Sequence, residues 1–240
     1  MDTKKTQNEN KAESQINNDN LDKKYCDSGY NSNNGNSISS KNSDPSDSRH
    51  HFFAFLARMK YINRWGLMRN TRNENIQEHS LQVAVIAHAL AIIKNQYFYG
   101  NVNADRAAVI GLFHDCDEII TGDMPTPIKY FNESIRDAYR EVEIVAKNRL
   151  LSMLPEELNP FYRQLIFGEE DKAIWKIVKA ADTISAYIKC VEELSMGNSE
   201  FEEAAFATKQ KILAIDLPEV ELFMKEYIDA FHLSLDELGV

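Results

Sequence analysis

From His50 to the C-terminus, apolar residues recur every three or four positions, and no stretch alternates apolar with polar residues. That spacing lays one apolar stripe along a helix, whereas a half-buried strand needs a period of two. Phe52, Phe53, Leu56 and Met59 form the first stripe. Asn75 with Glu78 three residues later predicts a capping box. The helix it opens carries Leu81, Val83, Val85, Ile86, Leu90 and Ile93. Asn103 predicts the cap of a helix running through Ala107, Ile110, Phe113 and Ile119 to Gly122, which ends it. Asp123-Met124-Pro125-Thr126-Pro127 reads as a stiff loop. Further helices are expected over 134–153, 169–194, 201–213 and 219–233. The expected fold is therefore all-α, a single helical domain over residues 50–240.

Residues 1–49 have a different character. They hold ten Asn and nine Ser, with few apolar residues and no period. Such a segment cannot bury enough surface to offset chain entropy, so a disordered Asn/Ser-rich extension is expected there.

The chain has 27 Lys and Arg against 37 Asp and Glu, a net charge of -10. This balance argues against sequence-independent binding of a nucleic-acid polymer, which needs cations to replace phosphate counterions. Cys26, Cys116 and Cys190 are widely spaced and odd in number, so no disulfide framework or zinc ribbon is expected, and a reducing compartment suits them. The N-terminus shows no apolar signal segment, and the longest apolar run, residues 83–93, includes His88. Eleven helical residues at about 1.5 Å each fall short of a hydrocarbon core of roughly 30 Å. A cytoplasmic protein without a membrane partner is expected.

The informative ionisable residues are those set into apolar helical text. His114-Asp115 directly follows Val109-Ile110-Gly111-Leu112-Phe113. Burying both groups is costly unless something binds them. His79 opens an apolar helix earlier in the chain, and Asp182 sits beside Ala180 and Ala181 later. Imidazole nitrogen and carboxylate oxygen together suit a first-row divalent ion. On one continuous helix, His114 and Asp115 would grip such an ion from one flank, with Glu118 alongside. His79 and Asp182 are candidates for the remaining ligands, although many other acids compete. His50, His51, His88 and His232 read as structural or solvated.

The text around these residues is more specific than the dyad. His79, His114-Asp115 and Asp182 resemble the H…HD…D signature of HD-domain metal-dependent phosphohydrolases. The segments INRWGLMRNTRNENIQEHSLQVA, HDCDEIITGDMPTPIKYF, AADTISAYIKCVEEL and FHLSLDEL are similar to the bacterial 5'-deoxynucleotidase family, YfbR-like, from about His50 to Gly239. The resemblance implies an all-α homodimer that removes phosphate from deoxyribonucleoside 5'-monophosphates with one divalent metal ion, cobalt, manganese or copper. It implies His79, His114, Asp115 and Asp182 as metal ligands, with His79 and Asp115 also near substrate, and Glu118 as the catalytic carboxylate. It implies that Arg64 orients the phosphate, Trp65 crowds the sugar 2' position, and Asp123, Met124, Pro125 and Thr126 contact the nucleotide. Arg64, the ion and Lys129 would together give an acidic protein a local positive patch.

The chain departs from the family pattern at Cys116-Asp117, where smaller or less charged residues are expected, and Asp117 is expected to face solvent. The connection 155–170 also reads as short. The alternatives are another HD-type nucleotide phosphohydrolase, acting on deoxynucleoside triphosphates or (p)ppGpp, and a non-catalytic helical metal-binding regulatory module.

Overall fold

A computed structural model describes residues 50–129 and 131–239. The expectation for residues 1–49 lies outside the described residues. Ten α-helices occur among the described residues: α1 Phe52–Leu56, α2 Ile76–Tyr97, α3 Ala104–Phe113, α4 Glu118–Thr121, α5 Thr126–Lys129, α6 Glu133–Leu151, α7 Asn159–Ile166, α8 Lys172–Ser195, α9 Glu202–Leu213 and α10 Pro218–Glu226. Short 3-10 turns cover Met59–Tyr61, Gly168–Glu170, Ser199–Phe201 and Ile228–His232. Among the described residues, strand-like pairing is limited to one isolated antiparallel bridge between Asn63 and Asn75.

The helix starts follow from side-chain caps. Asn75 accepts the main-chain N–H groups of Gln77 and Glu78. Asn103, Asn132 and Asp171 do the same for Arg106, Ile135 and Ile174. Each satisfies a donor that the first helical turn leaves without a partner, at about 1 kcal/mol apiece.

α2 packs against α3 and α8, while α9 packs on α8 and α10 on α2. Val83, Ile86 and Leu90 of α2 meet Ile110, Val178 and Ile184 in the main core. Each such side chain contributes about 1.5–3 kcal/mol on burial. Gly111 lets α2 and α3 come close, since a Cβ there would lie 2.9 Å from the Ala84 Cα. A second core joins Phe52, Ile76, Cys116, Leu150 and Ile166, and so braces the start of α2 against the chain just after His114-Asp115.

α2 is also long and apolar enough, by length and composition, to cross a membrane. The run 83–93 understates this, because the apolar window extends beyond it. Yet 56% of that window is buried within the protein, which is the position of a central core helix.

Several expectations need adjustment. The helix from Asn103 does not run on to Gly122: it stops at Phe113, and α4 begins only at Glu118. Between them Cys116 N–H reaches Phe113 O and Glu118 N–H reaches Asp115 O, three-residue bonds that tighten the turn. Gly122 does end α4, at a φ of +74°. Phe53, Leu81 and Val85 are exposed, so the stripes are narrower than the apolar text suggests. The connection 155–170 holds α7 and a 3-10 turn, and α10 gives way to a 3-10 turn after Glu226.

Candidate metal centre

His79 sits in the first turn of α2, whose register turns it inward, and it is fully buried. His114 and Asp115 lie on the tight turn after α3. Asp182 lies in mid-α8, among the buried residues Val178, Ala181 and Ser185. These three segments bring one potential ligand atom from each of His79, His114, Asp115 and Asp182 to within 4.8 Å of one another. His79 Nε2 is 3.2 Å from Asp182 Oδ1 and 3.6 Å from Asp115 Oδ2.

The outer nitrogens of both imidazoles are committed elsewhere. His114 Nδ1–H donates to Gly111 O at 2.8 Å. His79 Nδ1 lies 3.0 Å from Ser185 Oγ, which itself donates to Gln82 Oε1. The Ser185 hydroxyl proton is therefore spent on Gln82, so Nδ1 of His79 carries the hydrogen and Nε2 presents its lone pair. His114 Nε2 is buried without a hydrogen-bond partner, although Asp115 Oδ2 approaches to 3.0 Å out of line. An orphaned inward nitrogen beside two carboxylates is the donor set a divalent cation completes. The residues fit a metal ion.

The electrostatics divide the two imidazoles. Burial opposes protonation of His114, but Asp115 and then Asp182 raise it above its ordinary value, so a cation binding there displaces a proton. Burial, and then Arg64, push the His79 imidazole down to about 4, so it stays neutral as a ligand must. Burial opposes ionisation of Asp115 and Asp182. The neighbouring His114 for Asp115, and Lys179 and His79 for Asp182, nevertheless hold both carboxyls below the usual range. Lys179 forms an ion pair with Asp182 Oδ2 one helical turn away.

Around this cluster stand the other expected groups. Arg64 places a terminal nitrogen 3.5 Å from Asp115 Oδ2. Glu118 lies at the start of α4, not on the helix of His114, with Oε2 buried and unpartnered. Burial first, then the charges of Asp115 and Asp123, push its carboxyl well above the ordinary value. Asp123 is raised by burial against the opposing pull of Arg64 and the Trp65 main-chain N–H, which ties this loop to the Arg64–Trp65 segment. Met124 and Pro125 are half-buried, whereas Thr126 is exposed and opens α5. Trp65 packs its ring on Phe201 at 5.4 Å between centroids. Lys129 is engaged with Glu143 at 2.6 Å and stands over the Tyr139 ring.

Asp117 does not face solvent as expected. It is 4% exposed, and burial lifts its carboxyl to about 6 against the pull of Lys147. The expectation assumed a continuous helix, in which neighbouring side chains diverge. The turn at residues 114–117 breaks that geometry. Cys116 is buried too, with its thiol pushed well above the ordinary value by burial.

Sequence reasoning also passed over Ser185, Gln82 and Glu74. Ser185 carried a signal, a hydroxyl at a core position of α8 three residues after Asp182. Glu74 carried none beyond standing next to the Asn75 cap.

A family model described as 5'-deoxynucleotidase YfbR-like matches residues 51–231. The chain is 53% identical over 195 residues to a 5'-deoxynucleotidase of Yersinia pestis (strain Pestoides F), covering 79% of this chain and 97% of that protein. Its fold is similar to that of an HD-domain phosphohydrolase from Listeria innocua, with a TM-score of 0.68 and 24% identity over 80% of this chain and 92% of the other. A protein from Magnetospirillum magnetotacticum MS-1, described as a predicted metal-dependent phosphohydrolase, matches with a TM-score of 0.54 and 25% identity over 78% and 93% of the two chains.

Proposed function

Because this chain belongs to the YfbR-like 5'-deoxynucleotidase family, we propose that it hydrolyses deoxyribonucleoside 5'-monophosphates to deoxyribonucleosides and phosphate. The observation that carries this reading is the convergence of His79, His114, Asp115 and Asp182, with His114 Nε2 and Glu118 Oε2 both buried and unpartnered beside Arg64. In this reading those four residues hold one divalent cation. When bound, it lowers the pKa of water and polarises a phosphoryl oxygen.

The chain's own groups supply the rest. Arg64 is held through Nε, and its terminal edge, with one nitrogen 3.5 Å from Asp115 Oδ2, faces the cluster where phosphate oxygens would be taken. Burial, then Asp115 and Asp123, raise the Glu118 carboxyl above its ordinary value, which favours the protonated form that can give a proton to the leaving 5'-oxygen, a group that departs badly as an alkoxide. Trp65 presents an indole that leaves no room for a 2'-hydroxyl. Rejection by clash can exceed the ~1–3 kcal/mol that a missing methylene commands. His79 and Asp115 border the phosphate, and Asp123, Met124, Pro125 and Thr126 flank the nucleoside. The resemblance supports cobalt, manganese or copper as the ion, a homodimer as the assembly and the cytoplasm as the location. Residues 50–240 form the catalytic domain in this reading, with 1–49 an extension outside it.

The test is release of inorganic phosphate from deoxyadenosine monophosphate, adenosine monophosphate, deoxyadenosine triphosphate and a cyclic nucleotide, with and without chelator. Chelator-sensitive release from the deoxy monophosphate, well above the others, is expected. Preference for the triphosphate, or release from none, contradicts the reading.

A further inference from the structure

We infer that Glu74 is a positioning residue that links phosphate capture to sugar discrimination, by holding Arg64 and Trp65 through a single carboxylate oxygen. The inference rests on the roles proposed above for those two side chains. Glu74 Oε2 accepts from Arg64 Nε at 3.1 Å and from Trp65 Nε1 at 3.2 Å. The Arg64 and Glu74 side chains are each 13% exposed, so water is a poor substitute for either bond.

The geometry divides the guanidinium into two parts. Its Nε edge is taken by Glu74, and a terminal nitrogen points to Asp115 Oδ2 at 3.5 Å. An arginine anchored this way presents its fork without searching rotamers, which lowers the entropy cost of binding a phosphate. The indole is fixed by the same oxygen, so its face cannot swing away from the sugar while the arginine stays in place.

The main chain makes the arrangement more specific. Trp65 sits at a φ of +58°, a left-handed conformation that a bulky residue rarely adopts. Its carbonyl receives Met68 N–H at 2.9 Å and Asn70 Nδ2 at 3.2 Å. Arg64 N–H donates to Glu74 O at 2.9 Å, and Ile76 N–H to Ile62 O at 3.0 Å, so residues 62–65 and 74–76 are laced together. Glu74 thus lies on the segment leading into α2, five residues before His79, and registers the phosphate arm and the sugar wall to the helix carrying a ligand.

One oxygen serves both donors, which separates two substitutions. Glu74→Gln can place its amide oxygen where Oε2 stands and keep both bonds. Glu74→Ala loses both. The experiment compares metal-loaded parent, E74Q and E74A, each also in a Trp175→Phe background, where Trp65 is the one remaining indole. Three quantities are read: kcat/KM for deoxyadenosine and adenosine monophosphates, bound metal, and the emission maximum and acrylamide quenching of Trp65. For E74A, the deoxy-over-ribo ratio is expected to fall by roughly tenfold or more, with KM for the deoxy substrate raised, metal retained and Trp65 emission shifted to the red. E74Q is expected to stay within about threefold of the parent ratio. An unchanged ratio in a discriminating, metal-loaded E74A protein overturns the inference, as does unchanged Trp65 emission and quenching. Absence of phosphate release by the parent is instead a failure of the proposed function, and the Trp65 measurement still decides whether Glu74 fixes the indole. Should E74A not fold, Glu74→Asp, whose shorter arm reaches one donor at most, carries the same readouts.

Discussion

His79 Nδ1 lies 3.0 Å from Ser185 Oγ, and that contact decides which imidazole nitrogen faces Asp115 and Asp182. The hydroxyl passes its own hydrogen to Gln82 Oε1, so the chain Gln82–Ser185–His79 runs in one direction only. Removing the hydroxyl frees the ring to rotate or change tautomer. Ser185→Ala is therefore expected to weaken metal binding by about 10- to 100-fold while leaving the fold intact, as read by titration with cobalt or manganese. Equal affinity in mutant and parent would show that packing alone orients the ring.

Among the described residues, Glu118 is the one carboxyl near the cluster whose buried oxygen has no partner and whose pKa is raised well above the ordinary glutamate value, through burial and then Asp115 and Asp123. Glu118→Gln is expected to lower kcat by about 10²- to 10⁴-fold with metal content unchanged. As a proton donor, Glu118 is competent below its raised pKa and loses competence as pH rises through it. The parent's kcat should therefore decline on the alkaline side through a group that Glu118→Gln abolishes. A pH–rate profile of the same shape in both proteins argues that another group delivers the proton.

Trp65 combines two roles, resting on Phe201 and facing the sugar in the proposed complex. Trp65→Ala is expected to raise kcat/KM for adenosine monophosphate relative to its deoxy counterpart by about tenfold or more. It also loses about 1–3 kcal/mol of stability by giving up packing on Phe201. A preference for the deoxy substrate equal to the parent's, measured on folded protein, removes the indole from the selection.

Glu193 offers a stability test away from the metal cluster. It is 1% exposed and receives Thr71 N–H, Thr71 Oγ1 and Asn198 Nδ2, besides an ion pair with Lys189. Burial opposes its charge, but Lys189, Asn198 and Thr71 together hold the carboxyl well below its ordinary 4.5. A folded-state value below the unfolded one gives stability that is full above about pH 4.5 and lost as pH falls through the folded value. Glu193→Ala should cost about 3 kcal/mol near neutrality, with the difference from the parent shrinking in acid. Denaturant melts at pH 7 and pH 3 check this, and a penalty independent of pH would contradict it.

Local signals were legible where they act within a few residues. Asn75 and Asn103 cap as their side chains predict, and the apolar period placed α2, α6 and α8. His114-Asp115 stood out because charge in apolar text is costly and asks for compensation, whereas His79 and Asp182 were picked from competing residues by the family resemblance. The break at residues 114–117 was not legible, because the apolar text on either side continues in phase. Within it Cys116 is buried in the second core, and Asp117 is buried where the charge of Lys147 acts on it. Ser185 and Glu74 act through partners more than a hundred and about ten positions away, distances over which spacing along the chain carries no signal.

The central claim, that His79, His114, Asp115 and Asp182 hold one cation, is tested most directly by metal stoichiometry on folded protein. Elemental analysis after loading and desalting should give one equivalent of divalent metal per chain, falling to near zero in Asp182→Ala and His114→Ala. Two equivalents per chain, or one that survives both substitutions, would contradict the account.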